Sequence, residues 1–204
     1  MIDRTLPYYP IMMVKSDMDV YPDCALHPDY EFQFYTPETG KEDWIHVQFL
    51  SGQIENEKEI GDLFESEFMT DPELLPSQML FVRDRKTNEA VASAALWYGD
   101  PFGYKQMRIH WVATHIDHQG KGLCRAMLSR LMKRYHELNM SGDVFLFSQT
   151  FSYAAISIYQ DFGFQRYTGE EPANWHVENF EQAQITAWQI IDQKIEEYAA
   201  KKQS

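Results

Sequence analysis

The most constraining stretch of the sequence is Met107 to Leu138, MRIHWVATHIDHQGKGLCRAMLSRLMKRYHEL. An apolar run of strand length, Met107 to Thr114, passes through His115-Ile116-Asp117-His118 into Gln119-Gly120-Lys121-Gly122, and the pattern then turns helical. Leu123, Met127, Leu131, Tyr135 and Leu138 recur at three- and four-residue steps, which puts them on one face of a helix of about five turns. Lys121, Arg125, Arg130, Lys133 and Arg134 fall off that stripe. A helix that opens at a glycine turn aims unpaired main-chain N–H groups, and the positive end of its dipole, at whatever lies beyond its first residue. The segment therefore reads as an anion site, most naturally for phosphate.

A Gly-x-Gly alone is a weak signal, because glycine often serves only to turn a chain. Here the glycines stand between a strand and a helix, and Lys121 and Arg125 flank the same opening. The chain has no Gly-x-x-x-x-Gly-Lys-Ser/Thr, and no Gly-x-Gly-x-x-Gly within a strand-helix-strand unit, so ATP and NAD sites of those types are unsupported.

The rest of the chain gives this segment a setting. Its 204 residues, 44% hydrophobic and 15% aromatic, fit one globular domain of ordinary size. A net charge of −13 argues against nucleic acid as a partner and favours a cationic one, so the anion site must be local. Cys24 and Cys124 are too few for a disulfide framework, and no metal site is expected. The N-terminus lacks the uninterrupted apolar core of a signal peptide, and no run reaches membrane-spanning length, so a cytoplasmic protein with no membrane partner is expected.

Residues 1–29 carry prolines at 7, 10, 22 and 28 and read as an irregular lead-in to a domain over 30–204. Tyr30–Tyr35 alternates as a first strand. Helices follow over Lys41–Leu50, with Trp44, Val47 and Ile45 or Phe49 inward, and over Ile54–Met69, with Ile60, Leu63, Phe64 and Phe68 inward. Met79–Arg83 and Ala90–Tyr98 form a hairpin that leads into the strand before the glycine turn. Val144-Phe145-Leu146-Phe147 reads as a strand buried on both faces and parallel to that strand, because a helix joins them. A further helix over 178–202, amphipathic from Phe180 to Tyr198, either closes the core or makes a homodimer contact.

Two motifs at this separation carry a family resemblance. Gln119-Gly120-Lys121-Gly122-Leu123-Cys124 resembles the acetyl-CoA loop of the GNAT superfamily of acyl-CoA N-acyltransferases, Gln/Arg-x-x-Gly-x-Gly/Ala, and departs from it at Cys124. Thr114-His115-Ile116 stands where the family's preceding strand usually ends Val-x-Pro. Ser152 to Phe164 resembles the second landmark, Asn-x-x-Ala-x-x-Leu-Tyr-x-x-x-Gly-Phe, with Ser152 for asparagine and Ile158 for leucine. The resemblance covers roughly residues 30–168. It implies an α/β (α+β) fold: a mixed, mostly antiparallel sheet flanked by helices, with a parallel strand pair forming the acetyl-CoA cleft.

The resemblance also implies site residues. The main chain of Val112, Ala113 and Thr114 would bind the pantetheine arm of acetyl-CoA, and Gln119, Gly120, Lys121, Gly122, Leu123, Cys124 and Arg125 the pyrophosphate, with Ser152 and Tyr159 completing the cofactor set. Tyr159 matches the tyrosine that gives a proton to the departing thiolate. Cys124 is expected to be a loop residue and not a nucleophile, with the amine attacking directly through a tetrahedral intermediate.

An amine with a pKa of about 10 must first lose a proton, so the reaction needs a base. Strand alternation puts Arg108, His110, Val112 and Thr114 on one face and Ile109, Trp111 and Ala113 on the other. His110 titrates in the useful range and falls where some GNAT enzymes carry a histidine linked to proton removal. A structural or surface histidine, and a water chain as the base, stay open beside that role. Phe49, Gln53 and the acidic set Glu55, Glu57 and Glu59 fall where the family shapes its acceptor site, and the glutamates equally suit a solvated helix face. The expected activity is acetyl transfer to a small, cationic primary amine. Acetylation of a protein N-terminus or lysine, and a non-catalytic CoA-binding or sensing module, are the alternatives.

Overall fold

In a computed structural model, which describes residues 2–54 and 56–203, seven strands lie in the order β2-β3-β4-β5-β6-β1-β7. They are β1 (Pro10–Lys15), β2 (Tyr30–Phe34), β3 (Met79–Asp84), β4 (Ala90–Gly99), β5 (Gln106–Thr114), β6 (Val144–Gln149) and β7 (Gln165–Arg166). The helices are α1 (Gly40–Leu50), α2 (Glu57–Phe68), α3 (Leu75–Gln78), α4 (Leu123–Glu137), α5 (Tyr153–Asp161) and α6 (Phe180–Gln203). β5 and β6 run parallel, in register at Met107↔Val144 and Arg108↔Phe145, as the intervening helix requires. The pairs β1–β6, β1–β7, β2–β3 and β3–β4 are antiparallel. This is the mixed, mostly antiparallel sheet flanked by helices that the motifs imply.

The chain forms two compact units, one of residues up to Tyr21, Tyr98–Arg108 and everything from Ser141 onward, the other of Pro22–Trp97 and Ile109–Met140. In the first, the segment Pro10–Lys15, read from its prolines as part of an irregular lead-in, is instead the strand β1 between β6 and β7. Pro10 sits at its first position, where a missing N–H is tolerated. Ile11, Met12 and Met13 are buried one after another because the strand is covered on both sides, so no alternation marks it in the sequence. Lys15 is buried too: its Nζ donates to the Val20 carbonyl at 2.8 Å, and burial pushes its pKa down. β6 is buried at Val144, Phe145 and Leu146, but Phe147 is exposed and packs at a tilt on Trp175 at 5.0 Å, so the strand is not covered on both faces along its whole length. α6 buries Ala183, Ala187, Trp188 and Ile191 within this unit, and Gln184 donates to the Pro10 carbonyl at 2.8 Å.

The second unit packs α1 and α2 on the sheet through Trp44, Val47, Ile60, Phe64, Phe68, Phe81 and Trp97. α2 starts at Asn56, whose side chain accepts from the Lys58 and Glu59 N–H groups and caps the helix. α4 buries Leu123, Met127, Leu131 and Tyr135 as the periodicity predicts, and adds Ala126, Leu128, Ser129 and Met132, whereas Leu138, counted in the same stripe, is the half-buried C-cap because the helix stops at Glu137. Ser129 donates to the Pro22 carbonyl at 2.6 Å and accepts from the Cys24 N–H at 2.8 Å, which fixes residues 22–24 to the helix. Among the described residues no helix is long and apolar enough to cross a membrane.

Candidate active site

The glycine turn has the backbone that its sequence demands. Gly120 and Gly122 adopt φ +77° and +78°, where a side chain is strained, and a Cβ at either would point into open space. Glycine is therefore required for the path of the chain and not for room. Gly122 is the N-cap of α4 and no side chain caps the helix, so its first N–H groups face outward, where an anion can take them. Lys121 is exposed and lies 5.9 Å from the Tyr30 ring, while Arg125 is half-buried in the first turn. Gln119 donates to the Thr114 carbonyl at 3.2 Å and ties the loop to the end of β5. Leu123 is buried beneath the turn. Cys124 lies in the first turn of α4, not in the loop, and burial pushes its thiol up to about 12. Such a thiol is protonated at neutral pH and a poor nucleophile.

Two histidines border the loop. His115 Nδ1 accepts from the Asp117 N–H at 3.0 Å and caps a single 3-10 turn over Ile116–His118. His118 Nδ1 pairs with the Tyr30 hydroxyl at 2.9 Å. Burial holds the His118 pKa below that of a free imidazole, and the Lys121 and His115 charges add to the effect.

β5 does not alternate throughout. Trp111 has φ +47°, a left-handed conformation that a bulky residue rarely adopts and of the kind found at the first residue of a bulge. His110 and Trp111 consequently approach the same aromatic cluster and not opposite faces of the sheet. The His110 ring lies 5.8 Å from Phe68, the Trp111 ring 5.4 Å from Trp44, and Trp44 and Phe68 touch at 5.5 Å. Side chains of α1 and the residues after it hold the bulge. Gln48 donates to the Trp111 carbonyl at 3.3 Å and to Ser93 Oγ at 3.2 Å, and Gln53 donates to the Val112 carbonyl at 2.9 Å. The Val112 and Thr114 carbonyls thus each accept from a glutamine. Ala113 is buried in the aromatic cluster and can offer a ligand only its main chain.

His110 has a partner that sequence reading missed. Its Nε2 lies 2.9 Å from Glu67 Oε2, with side-chain exposures of 14% and 29%. Nothing in the local pattern distinguishes Glu67 from its acidic neighbours; the bulge at Trp111 and the length of α2 bring the pair together. Of the acidic set singled out in the sequence, Glu57 and Glu59 occupy the exposed first turn of α2, and Glu55 lies outside the described residues. Phe49 is 36% exposed on α1.

In the other unit, Ser152 ends a 3-10 turn and its Oγ accepts from Gln149 Nε2 at 2.6 Å. Tyr159 lies on α5, 6% exposed, with its ring edge-on to Phe164 at 6.2 Å. Among the described residues no three His, Cys, Asp or Glu side chains cluster as a metal site would require.

Comparison with known proteins bears on family and fold. Residues 25–164 match the model of the acetyltransferase (GNAT) family, a span that takes in β2 to α5, both sequence motifs included. No curated protein matches the sequence. Among solved structures, the chain is similar to a GCN5-related N-acetyltransferase from Sphaerobacter thermophilus (TM-score 0.60, 16% identity, 78% of this chain and 50% of that one). It is also similar to a GNAT-family acetyltransferase from Colwellia psychrerythraea (0.58, 9%, 79% and 54%) and to the glucosamine N-acetyltransferase region of a fungal multi-domain β-N-acetylglucosaminidase (0.57, 11%, 82% and 20%). The chain thus spans about half or less of the length of these structures, and at such identities the likeness is one of fold. With the family model matched over more than half of its residues, the chain belongs to the GNAT acetyltransferase family.

Proposed function

We propose that this protein transfers an acetyl group from acetyl-CoA to the primary amine of a small, cationic acceptor. The observation that carries this reading is the opening of α4, where two left-handed glycines leave the first N–H groups of a helix without a side-chain cap, beside Lys121 and Arg125. Such a terminus suits a diphosphate. The residues present fit the coenzyme: Gln119 to Arg125 would hold its pyrophosphate, and the main chain of Val112 and Thr114 its pantetheine arm. Ser152 is proposed to stand where the family carries asparagine. When bound, acetyl-CoA supplies the activated acyl group.

The protein's own task is proton management. His110, directly or through water, takes the proton that the acceptor must lose, and Tyr159 gives one to the departing thiolate; a phenol with a pKa near 10 can do this at modest cost. The charge of −13 favours a cationic acceptor over nucleic acid or another anion, and the proposed setting is the cytoplasm. Incubation with acetyl-CoA and a panel of small amines, followed through free thiol, should show CoA release that depends on the amine. Binding of CoA without release on any amine would make the protein a CoA-binding module, and release only with peptides would move the acceptor to protein.

A further inference from the structure

Tyr30, buried at the start of β2, meets the segment around the glycine loop twice. Its hydroxyl pairs with His118 Nδ1 at 2.9 Å, and the Lys121 ammonium lies 5.9 Å from the centre of its ring. The His115 ring stands edge-on to that of His118 at 5.2 Å, so three basic groups gather between His115 and Lys121. The partners of the two histidines differ in kind. His115 Nδ1 accepts from the Asp117 N–H at 3.0 Å, a group that can only donate, so a proton placed on that nitrogen would break the bond. The Tyr30 hydroxyl can donate to a neutral His118 or accept from a charged one, so its bond survives in both states. Of the two, His118 is the one built to change charge.

The charged form of His118 is disfavoured in the protein by burial, then by Lys121 and His115, with Asp84 and Asp117 opposing. Asp84 is itself engaged by the Lys86 and Thr87 N–H groups at 2.8 and 3.4 Å, and His27 flanks Tyr30 at 6.0 Å while pairing with Asp29. An anion on the loop would answer the Lys121 charge and attract a proton to His118. Two residues of chain span at most about 7 Å, so the His118 backbone lies that close to Gly120, inside a Debye length of about 8 Å. We infer that Tyr30, His118 and Lys121 form a side-chain anion subsite beside the main-chain one, in which His118 takes up a proton from water as a diphosphate settles on the loop. The proton fills the remaining ring lone pair, no covalent bond to the ligand forms, and the Tyr30 hydroxyl serves both states. By linkage, acid tightens diphosphate binding to the same degree.

The inference rests on the reading that the loop holds the diphosphate of acetyl-CoA, and not on acetyl transfer. Calorimetry with dephospho-CoA, which keeps the diphosphate but lacks the phosphomonoester that itself titrates near a pH of about 6, separates His118 from the ligand. Wild-type protein should bind it about three- to tenfold more tightly at a pH of about 5.5 than at about 7.5, with net proton uptake when buffers of different ionisation enthalpy are compared. Both effects should vanish in H118N. Y30F, which keeps the ring beside Lys121 and removes the hydroxyl, should retain less than about half of the gain. In protein labelled with nitrogen-15 in its histidines, the His118 ring should titrate about one pH unit higher with dephospho-CoA bound. Binding without proton uptake, uptake that persists in H118N, or an unmoved His118 titration overturns the subsite and leaves the diphosphate reading standing. No binding at any pH overturns both. The full pH effect in a protein that turns over no amine keeps the subsite and removes acetyl transfer. Should H118N fail to fold, the wild-type His118 titration alone decides.

Discussion

Of the places in the second unit with backbone at positive φ, two could hardly differ more. Gly120 and Gly122 sit at φ +77° and +78° in open space, on residues that adopt that conformation freely. Trp111 sits at φ +47° inside a strand, on a residue that resists it, and is held there by its packing on Trp44 and by Gln48 on its carbonyl. The first place leaves the first N–H groups of α4 without a side-chain cap. The second turns a strand so that His110 reaches Glu67 and Phe68. On the proposed reading, one serves binding on residues that adopt the conformation freely, and the other serves chemistry on a strained residue whose surrounding contacts offset the strain.

If that division of labour holds, changes at the two places should separate binding from rate. The largest effect belongs to the bulge: His110→Ala should lower kcat about 100-fold or more while CoA affinity, measured by calorimetry, stays within about twofold. A comparable fall in both would erase the distinction. The strain itself can be exposed by comparing Trp111→Ala with Trp111→Gly in urea unfolding. Both lose the packing on Trp44, but alanine keeps the left-handed penalty and glycine does not. Glycine should therefore be the more stable variant by about 1 kcal/mol, the reverse of the usual order within a strand.

On the loop side the effects are smaller. His118 has its pKa lowered by burial, then by Lys121 and His115, with Asp84 and Asp117 opposing. The unfolded chain therefore takes up this proton first on acidification. The contribution of neutral His118 to stability is complete above the unfolded value of about 6.5 and is lost as pH falls below it towards the folded value. Urea unfolding of wild type should weaken over that window more than that of His118→Asn, and identical slopes would remove His118 as the cause. Smallest of all, Cys124→Ala restores the residue usual in the family and should change stability by less than about 0.5 kcal/mol and leave kcat unaltered. With its thiol pushed up to about 12, Cys124 should also react slowly with iodoacetamide at pH 8.

The same contrast explains what could be read from the sequence. The glycine loop announced itself because glycine at fixed positions after a strand and before a periodic helix has few other uses, and α4 followed from Leu123, Met127, Leu131 and Tyr135. The bulge was invisible because tryptophan is a good strand residue and nothing local marks a left-handed φ, so alternation assigned His110 and Trp111 to opposite faces. Glu67 was hidden for the same reason, its role depending on where α2 ends and where β5 bends. β1 was missed because a strand covered on both faces shows no alternation, and the prolines around it suggested a loop.

The most direct test is calorimetric titration of the wild type and Gly122→Val with CoA and with pantetheine, which lacks the diphosphate. If main-chain N–H groups at the start of α4 hold that group, CoA should bind the wild type at least about 100-fold more tightly than pantetheine does. Gly122→Val, which cannot adopt φ +78° without strain, should then lose most of that advantage. Equal affinities for the two ligands, or full CoA affinity in Gly122→Val, would contradict the account.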